Sequence, residues 1–426
     1  MTARSCCDEN KKLLTRRGVL GRGLAAGAAG ALAGLVGEGL SSRLAFAAGG
    51  YTGDTLVVLS LRGGFDGLSA IAPIGDTDYY KARPTLALPK SQVIGGNSMF
   101  GLHPGLAPLL PMWKNGSLAA VHAVGQPSPT RSHFAAMEEM ERAAAGTSLR
   151  SGWLDRMLGM AGATGPLAAV SLGNAMPARL LGGSFSDVAM TSVDGFTLAG
   201  ESAKRPMAAA LRKMYESAPG PLAGPARAAD AALTATTGVR STAYTPANGA
   251  AYPATPLGDA LKDVARLIKA KAGLAAAAVD CGDWDMHEGL GTAVKGQRMY
   301  DNLLETSNAL AAFAADLGPA GMATVTVVTI SEFGRRVAEN GSRGTDHGHG
   351  NAMLLMGGGV RGGTVYGTWP GLAPGALVAG DLAATTDYRA VIGEVLQKRC
   401  GFGSLSDVFP DVAPASFGLA AARALD

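Results

Sequence analysis

Cysteine is scarce in this chain: four residues in 426, of which Cys6 and Cys7 fall in what reads as a removable leader. The remaining pair, Cys281 and Cys400, permits at most one bridge and excludes a disulfide framework. An excess of charge of either sign is also lacking. Lys and Arg number 37 against 34 Asp and Glu, a formal net charge of +3, so nothing points to nucleic acid or to an anionic membrane surface. No internal repeat at solenoid spacing is visible. A clean membrane span is missing too. The one weakly hydrophobic stretch, residues 23–40, is rich in glycine and has Arg22 at its start and Glu38 near its end.

What is present begins with that leader. Thr15-Arg16-Arg17-Gly18-Val19-Leu20 resembles the twin-arginine export motif, and Leu44-Ala45-Phe46-Ala47 supplies an A-x-A cleavage signal. Cleavage is expected after Ala47, with an uncleaved anchor as the alternative. The expected organisation is a signal peptide at 1–47 and one large domain at 48–426, delivered by the twin-arginine export machinery to the periplasm, the envelope or the exterior.

Residues 55–61 are apolar on both faces, as are 118–124, 167–172, 273–279, 323–330 and 352–356. Continuous runs of this kind mark strands covered on both sides, hence a parallel or mixed sheet. Amphipathic patterns at 132–145, 152–160, 257–270, 294–317 and 387–399 predict helices between them. The alternation argues for a doubly wound α/β sandwich. Residues 201–256 differ: Ala, Pro, Thr and Gly dominate much of the stretch, which predicts a helical insertion ending in an irregular loop.

Four segments carry the polar chemistry, each at or soon after a predicted strand, where an open α/β sheet keeps its ligands. In the loop 344–350, glycines leave Asp346, His347 and His349 free to turn toward one point, as a metal site requires. A surface loop bonding its own backbone is the plainer alternative. Glu332 lies upstream of it. If the segment 283–287 is extended, Asp283, Asp285 and His287 share one face, because side chains alternate with period two. Asp66 lies between glycines after the first strand, either as a ligand or as a turn aspartate. Finally, Ser132 opens a helix behind Arg131, either as a plain cap or as a hydroxyl nucleophile in an anion seat. Together these segments hold four of the six histidines and suit two neighbouring divalent ions.

The ordered elements at 61–67 (Leu-Arg-Gly-Gly-x-Asp-Gly), 131–134 (Arg-Ser-His-Phe), 284–287 (Trp-Asp-x-His), 331–335 (Ser-Glu-Phe-Gly-Arg), 345–348 (Thr-Asp-His-Gly) and 386–389 (Thr-Asp-Tyr-Arg) resemble the bacterial family DUF1501. That family resembles a distant branch of the alkaline phosphatase and sulfatase superfamily. The resemblance implies an alkaline-phosphatase-like α/β sandwich with a mostly parallel sheet, helices on both faces and two divalent ions, whether Zn, Mn, Mg or Ca. It places Asp66, Asp346 and His347 on one ion, and Asp285, His287 and His349 on the other. Asp283 competes with Asp285, since it has the four-residue spacing to His287 that the superfamily uses. No histidine follows His349, although the superfamily takes its last one from well downstream. The sulfatase frame C/S-x-P-x-R has proline at the reacting position here (Pro127), so the nucleophile falls to Ser132, Thr130, Ser128 or a metal-bound water. Arg131 or Arg62 would steady a small anionic ester. The expected function is therefore an exported metal-dependent hydrolase of phosphate or sulfate esters; the alternative is a non-catalytic envelope protein that binds a metal or a protein partner.

Overall fold

The computed structural model describes residues 51–174, 176, 178–216 and 222–423. The leader motif, its cleavage signal, Cys6 and Cys7 lie outside the described residues. In chain order the strands are β1 (Thr55–Leu61), β2 (Ile71–Ala72), β3 (Ile94–Gly96), β4 (Gly101–Leu102), β5 (Leu118–Gly125) and β6 (Ala169–Leu172). They continue as β7 (Val188–Met190), β8 (Ala276–Cys281), β9 (Val325–Ile330), β10 (Asn351–Gly357), β11 (Val365–Tyr366) and β12 (Thr386–Asp387). The large sheet runs β11-β5-β10-β9-β1-β8-β6-β7, with β12 also on β5, and β2, β3 and β4 form a separate small sheet.

Within the large sheet β1 pairs in parallel with β8 and β9, and β6 with β7 and β8. Only β10 runs against its neighbours, β5 and β9. This mostly parallel sheet is why the strand sequences are unbroken Val, Leu and Ala runs: β1, β9 and β10 are buried almost throughout. Alternate β1 residues feed two cores. Val57 and Leu59 pack with Leu261 and Val264 of the helix Pro256–Lys269 and with Leu303 and Leu310 of the helix Arg298–Met322. Leu56 and Val58 pack on the other face with Trp153, Met157, Val391 and Ile392, from the helices Trp153–Ala161 and Tyr388–Arg399. The expected α/β class, mostly parallel with helices on both faces, is thus what the chain forms.

The predicted strands and helices appear within about five residues of their expected places: the strand expected at 273–279 is Ala276–Cys281, and the helix expected at 294–317 is Arg298–Met322, interrupted at Gly318 (φ 64). Between residues 201 and 256 two helices form, Met207–Glu216 and Ala223–Arg240, tied by an Arg212–Asp230 ion pair. The possible disulfide is absent. Cys281 and Cys400 are both free thiols and belong to the cores on opposite faces of the sheet, so the sheet itself separates them.

Strand direction decides where the chemistry gathers. The loops leaving β1, β8 and β9 lie at one edge because those strands are parallel. Since β10 is reversed, the loop entering it reaches the same edge, and so does the segment leaving β5, whose Val124 pairs with Asn351. These five loops, which hold the four polar segments and Glu332, therefore meet at the carboxyl ends of the central strands.

Candidate metal centre

Glycines permit these loops to interlock. A Cβ on Gly344 would stand 2.2 Å from the backbone of His287, and one on Gly348 would stand 2.5 Å from that of Arg335. Thr345 N–H donates to Met286 C=O (3.1 Å), and Arg336 N–H to Asp346 C=O (2.9 Å). A buried arginine then bolts three segments together. Arg335, 1% exposed, donates to Gly64 C=O (2.7 Å), Gly63 C=O, Trp284 C=O (3.1 Å), Thr345 C=O (2.8 Å) and Asp285 Oδ1 (2.7 Å).

Asp285 is the hub. Its Oδ1 is 3.1 Å from His287 Nε2 and 3.3 Å from His347 Nε2, and its Oδ2 is 3.6 Å from His133 Nε2. Ligand atoms of His133, Asp285 and His347 all lie within 4.8 Å of one another. Burial raises the Asp285 carboxyl, but the hydrogen bond and charge of Arg335 overcome this and bring it to about 2. Burial, the largest influence on His347, lowers its imidazole against the pull of the Arg131 carbonyl and Asp285. Asp346 is lowered by its hydrogen bonds from His287 and Asn340.

Proton positions decide whether the cluster suits a cation. His287 Nδ1 faces Asp346 Oδ1 at 2.9 Å, and His347 Nδ1 faces the Arg131 carbonyl at 2.8 Å. Both partners only accept, so both Nδ1 atoms carry hydrogen. The two Nε2 atoms then meet at 2.9 Å, an approach that two lone pairs do not tolerate without a proton or a metal ion. Ligands about 2.0–2.1 Å from a tetrahedral zinc lie about 3.3 Å apart, close to the separations around Asp285. Three imidazoles and one carboxylate are also a donor set for a borderline ion. The residues fit a divalent metal.

The other expected residues are placed differently. Asp66 is 3% exposed, and its two oxygens accept from Arg83 (2.9 and 2.8 Å), Ser69 N–H (3.0 Å) and Thr345 Oγ1 (3.2 Å). Arg83 is fully buried, so this carboxylate serves an internal ion pair rather than the Asp285 cluster. His349 turns its Nε2 to the Gln126 carbonyl (2.8 Å). Asp346 touches the cluster through His287 and stands behind that ring, as an outer carboxylate does in a carboxylate–histidine–metal arrangement. Asp283, at φ 68, is paired with Arg298 and Asn302 of the following helix, which leaves Asp285 to face the imidazoles. The grouping of these residues into two triads, expected from the resemblance, is therefore not the grouping that the side chains make.

Arg62 is held by Glu141 (2.7 Å) and Asp280 (2.8 Å). The exposed Arg131 side chain bonds Asp381 (2.6 Å) while its carbonyl takes His347. Ser132 occupies the N-cap position of the helix His133–Arg142 but makes no side-chain cap bond, so it is not the plain cap its position suggested. Thr130 Oγ1 accepts from Ser132 N–H at 3.3 Å. The residue absent from the expected ligands is His133. Its signal was its place in the Arg-Ser-His-Phe element, beside the hydroxyl that drew attention instead. The remaining two histidines, His103 and His122, are core residues whose imidazoles burial pushes down to about 4. The Thr-Asp-Tyr-Arg element proves structural: Asp387 caps its helix and pairs with Arg389, and Tyr388 donates to Met140 C=O (2.9 Å).

Fold and site together define an α/β protein with a candidate metal centre at the carboxyl ends of a mostly parallel sheet. Residues 113–394, more than half of the chain, match the model of the family described as "Protein of unknown function (DUF1501)". The protein belongs to that family. No curated protein matches it. Similar solved structures include the C-terminal periplasmic domain of EcEptC from Escherichia coli in complex with Zn, at 10% identity and TM-score 0.32, covering 73% of this chain and 77% of that one. Another is the lipoteichoic acid synthase LtaP from Listeria monocytogenes (9%, TM-score 0.32, covering 79% and 72%). A mutant of the alkaline phosphatase PafA is similar at 11% identity and TM-score 0.32, covering 68% of this chain and 64% of that one. Likenesses this faint carry no conclusion about chemistry. Among the described residues no helix is long and apolar enough to cross a membrane.

Proposed function

We propose that the protein is an exported, metal-dependent hydrolase of phosphate or sulfate esters, its ion held by His133, Asp285 and His347 with His287 beside them. The observation that supports this reading most is the convergence of three imidazole Nε2 atoms on one carboxylate at the strand ends. A divalent ion held there would supply Lewis acidity to an ester oxygen and make water more acidic. The chain's own residues do the rest. Ser132, whose hydroxyl makes no cap bond and which is flanked by Arg131 and His133, is the candidate nucleophile, with Thr130 and Ser128 in the same segment as alternatives. Arg131 is the candidate to hold the substrate anion. Arg62 is set aside because Glu141 and Asp280 already occupy it. Export rests on the twin-arginine-like leader.

One observation favours the second reading, a non-catalytic envelope protein: Asp66, the aspartate that the superfamily resemblance assigns to a metal, is committed to Arg83. Elemental analysis of protein spanning residues 48–426, followed by assays on aryl phosphate, phosphodiester and aryl sulfate, separates the two. The hydrolase reading expects about one tightly bound divalent ion per chain, turnover of at least one ester, and loss of both in His347→Ala. A bound ion without turnover on any ester establishes the second reading. No ion at all removes both as metal proteins.

A further inference from the structure

We propose that Glu332 is a positioning residue of this centre: its buried carboxylate sets which nitrogen of His133 carries the proton and where that ring points. The proposal rests on the metal reading above. His133 is the first residue of its helix and follows a largely exposed, irregular segment, so the backbone alone leaves its ring free to swing. Glu332 has no such freedom. It lies two residues past the end of β9 and is 3% exposed. Its Oε1 accepts from Gly63 N–H at 2.9 Å, its Oε2 from Ser331 Oγ at 3.1 Å, and its peptide carbonyl from Gln126 Nε2 at 2.6 Å.

The same Oε1 stands 2.8 Å from His133 Nδ1. A carboxylate only accepts, so the shared hydrogen belongs to Nδ1 and the lone pair to Nε2. That Nε2 is buried, makes no hydrogen bond and looks across 3.6 Å to Asp285 Oδ2. A buried nitrogen with an unused lone pair beside a carboxylate is poor design for a core and good design for a ligand. Phe333, the next residue, lays its ring 4.9 Å from that of His133 and limits its swing. Two consecutive residues just past one strand thus fix the tautomer and the direction of an imidazole at the start of a helix distant in sequence.

The test compares the wild type with Glu332→Gln and His133→Ala. It measures zinc affinity by chelator competition, the absorption spectrum of the Co(II) form, and thermal unfolding of the metal-free protein. Glutamine still offers an oxygen to Gly63 N–H, so the metal-free unfolding temperature should stay unchanged, but that oxygen is neutral and holds the hydrogen of His133 Nδ1 more weakly than a carboxylate does. Zinc affinity should fall about 10- to 100-fold, with altered Co(II) bands. A purely structural Glu332 would leave affinity and spectrum as in the wild type, and that result overturns the proposal. Tight binding by His133→Ala would also overturn it, while leaving a metal centre on Asp285, His287 and His347. If the wild type binds neither ion, the metal reading fails first and takes this proposal with it.

Discussion

Replacing Asp66 by asparagine distinguishes an internal ion pair from a metal ligand. The carboxylate is 3% exposed and Arg83 is fully buried; the guanidinium also donates to Ser69 Oγ, Val337 C=O and Arg336 C=O, all at 2.9 Å. In Asp66→Asn the arginine keeps those neutral acceptors but loses its counter-charge, and an amide N–H₂ must face its own N–H groups. Breaking a buried pair on one side typically costs about 3–5 kcal/mol, a large part of a stability of about 5–15 kcal/mol. With an unfolding entropy of about 2.1 cal/mol/K per residue, a chain of this size should lose roughly 5 °C in Tm. Urea unfolding and calorimetry should show that loss, while the divalent ion content should stay as in the wild type. Replacing the pair together, by Asp66→Asn with Arg83→Met, should recover part of the stability because no unpaired charge remains. If Asp66→Asn instead loses the ion with its Tm unchanged, Asp66 is a ligand and the assignment of its carboxylate to Arg83 is wrong.

Other outcomes follow from single groups. Burial, aided by Asp155, raises the Asp187 carboxyl to about 7 against the pull of its own backbone N–H. Because the folded value lies above the unfolded one of about 3.9, stability is fully present below about pH 4 and is lost as the pH rises toward 7. Asp187→Asn should therefore match the wild type at pH 4 and exceed it at pH 8, by up to about 4 kcal/mol; equal stability at pH 8 refutes this. With Cys281 and Cys400 free on opposite faces, protein spanning residues 48–426 should titrate two thiols after denaturation without reductant. Fewer would mean that the faces are not separated as described.

Much of this protein was legible before its structure. The strand ends were readable because a parallel sheet buried on both faces demands unbroken apolar runs, and polar motifs just beyond those runs had to be loops at an edge. The convergence of the 283–287 and 344–350 segments followed from that. The motif at 386–389 was legible as a pattern but not as a capping and packing device, since Tyr388 acts on Met140, far away in the chain.

The sequence by itself determined the class of fold, the segments that gather at the candidate metal centre and the family, because each depends on local periodicity or on residues close together in the chain. The tertiary structure alone decided which side chains meet. Asp66 could be matched by its neighbours to a metal-binding aspartate, yet a buried arginine 17 positions on takes it. Asp283 and Asp285 share a predicted face, and Arg298 removes one of them. His133 and Glu332 are 199 residues apart, and only the packing of β9 beside the reversed β10, itself paired with β5, brings them into contact. A hydrogen bond acts over about 3 Å, so partners this distant in sequence are set by the fold and not by any local pattern.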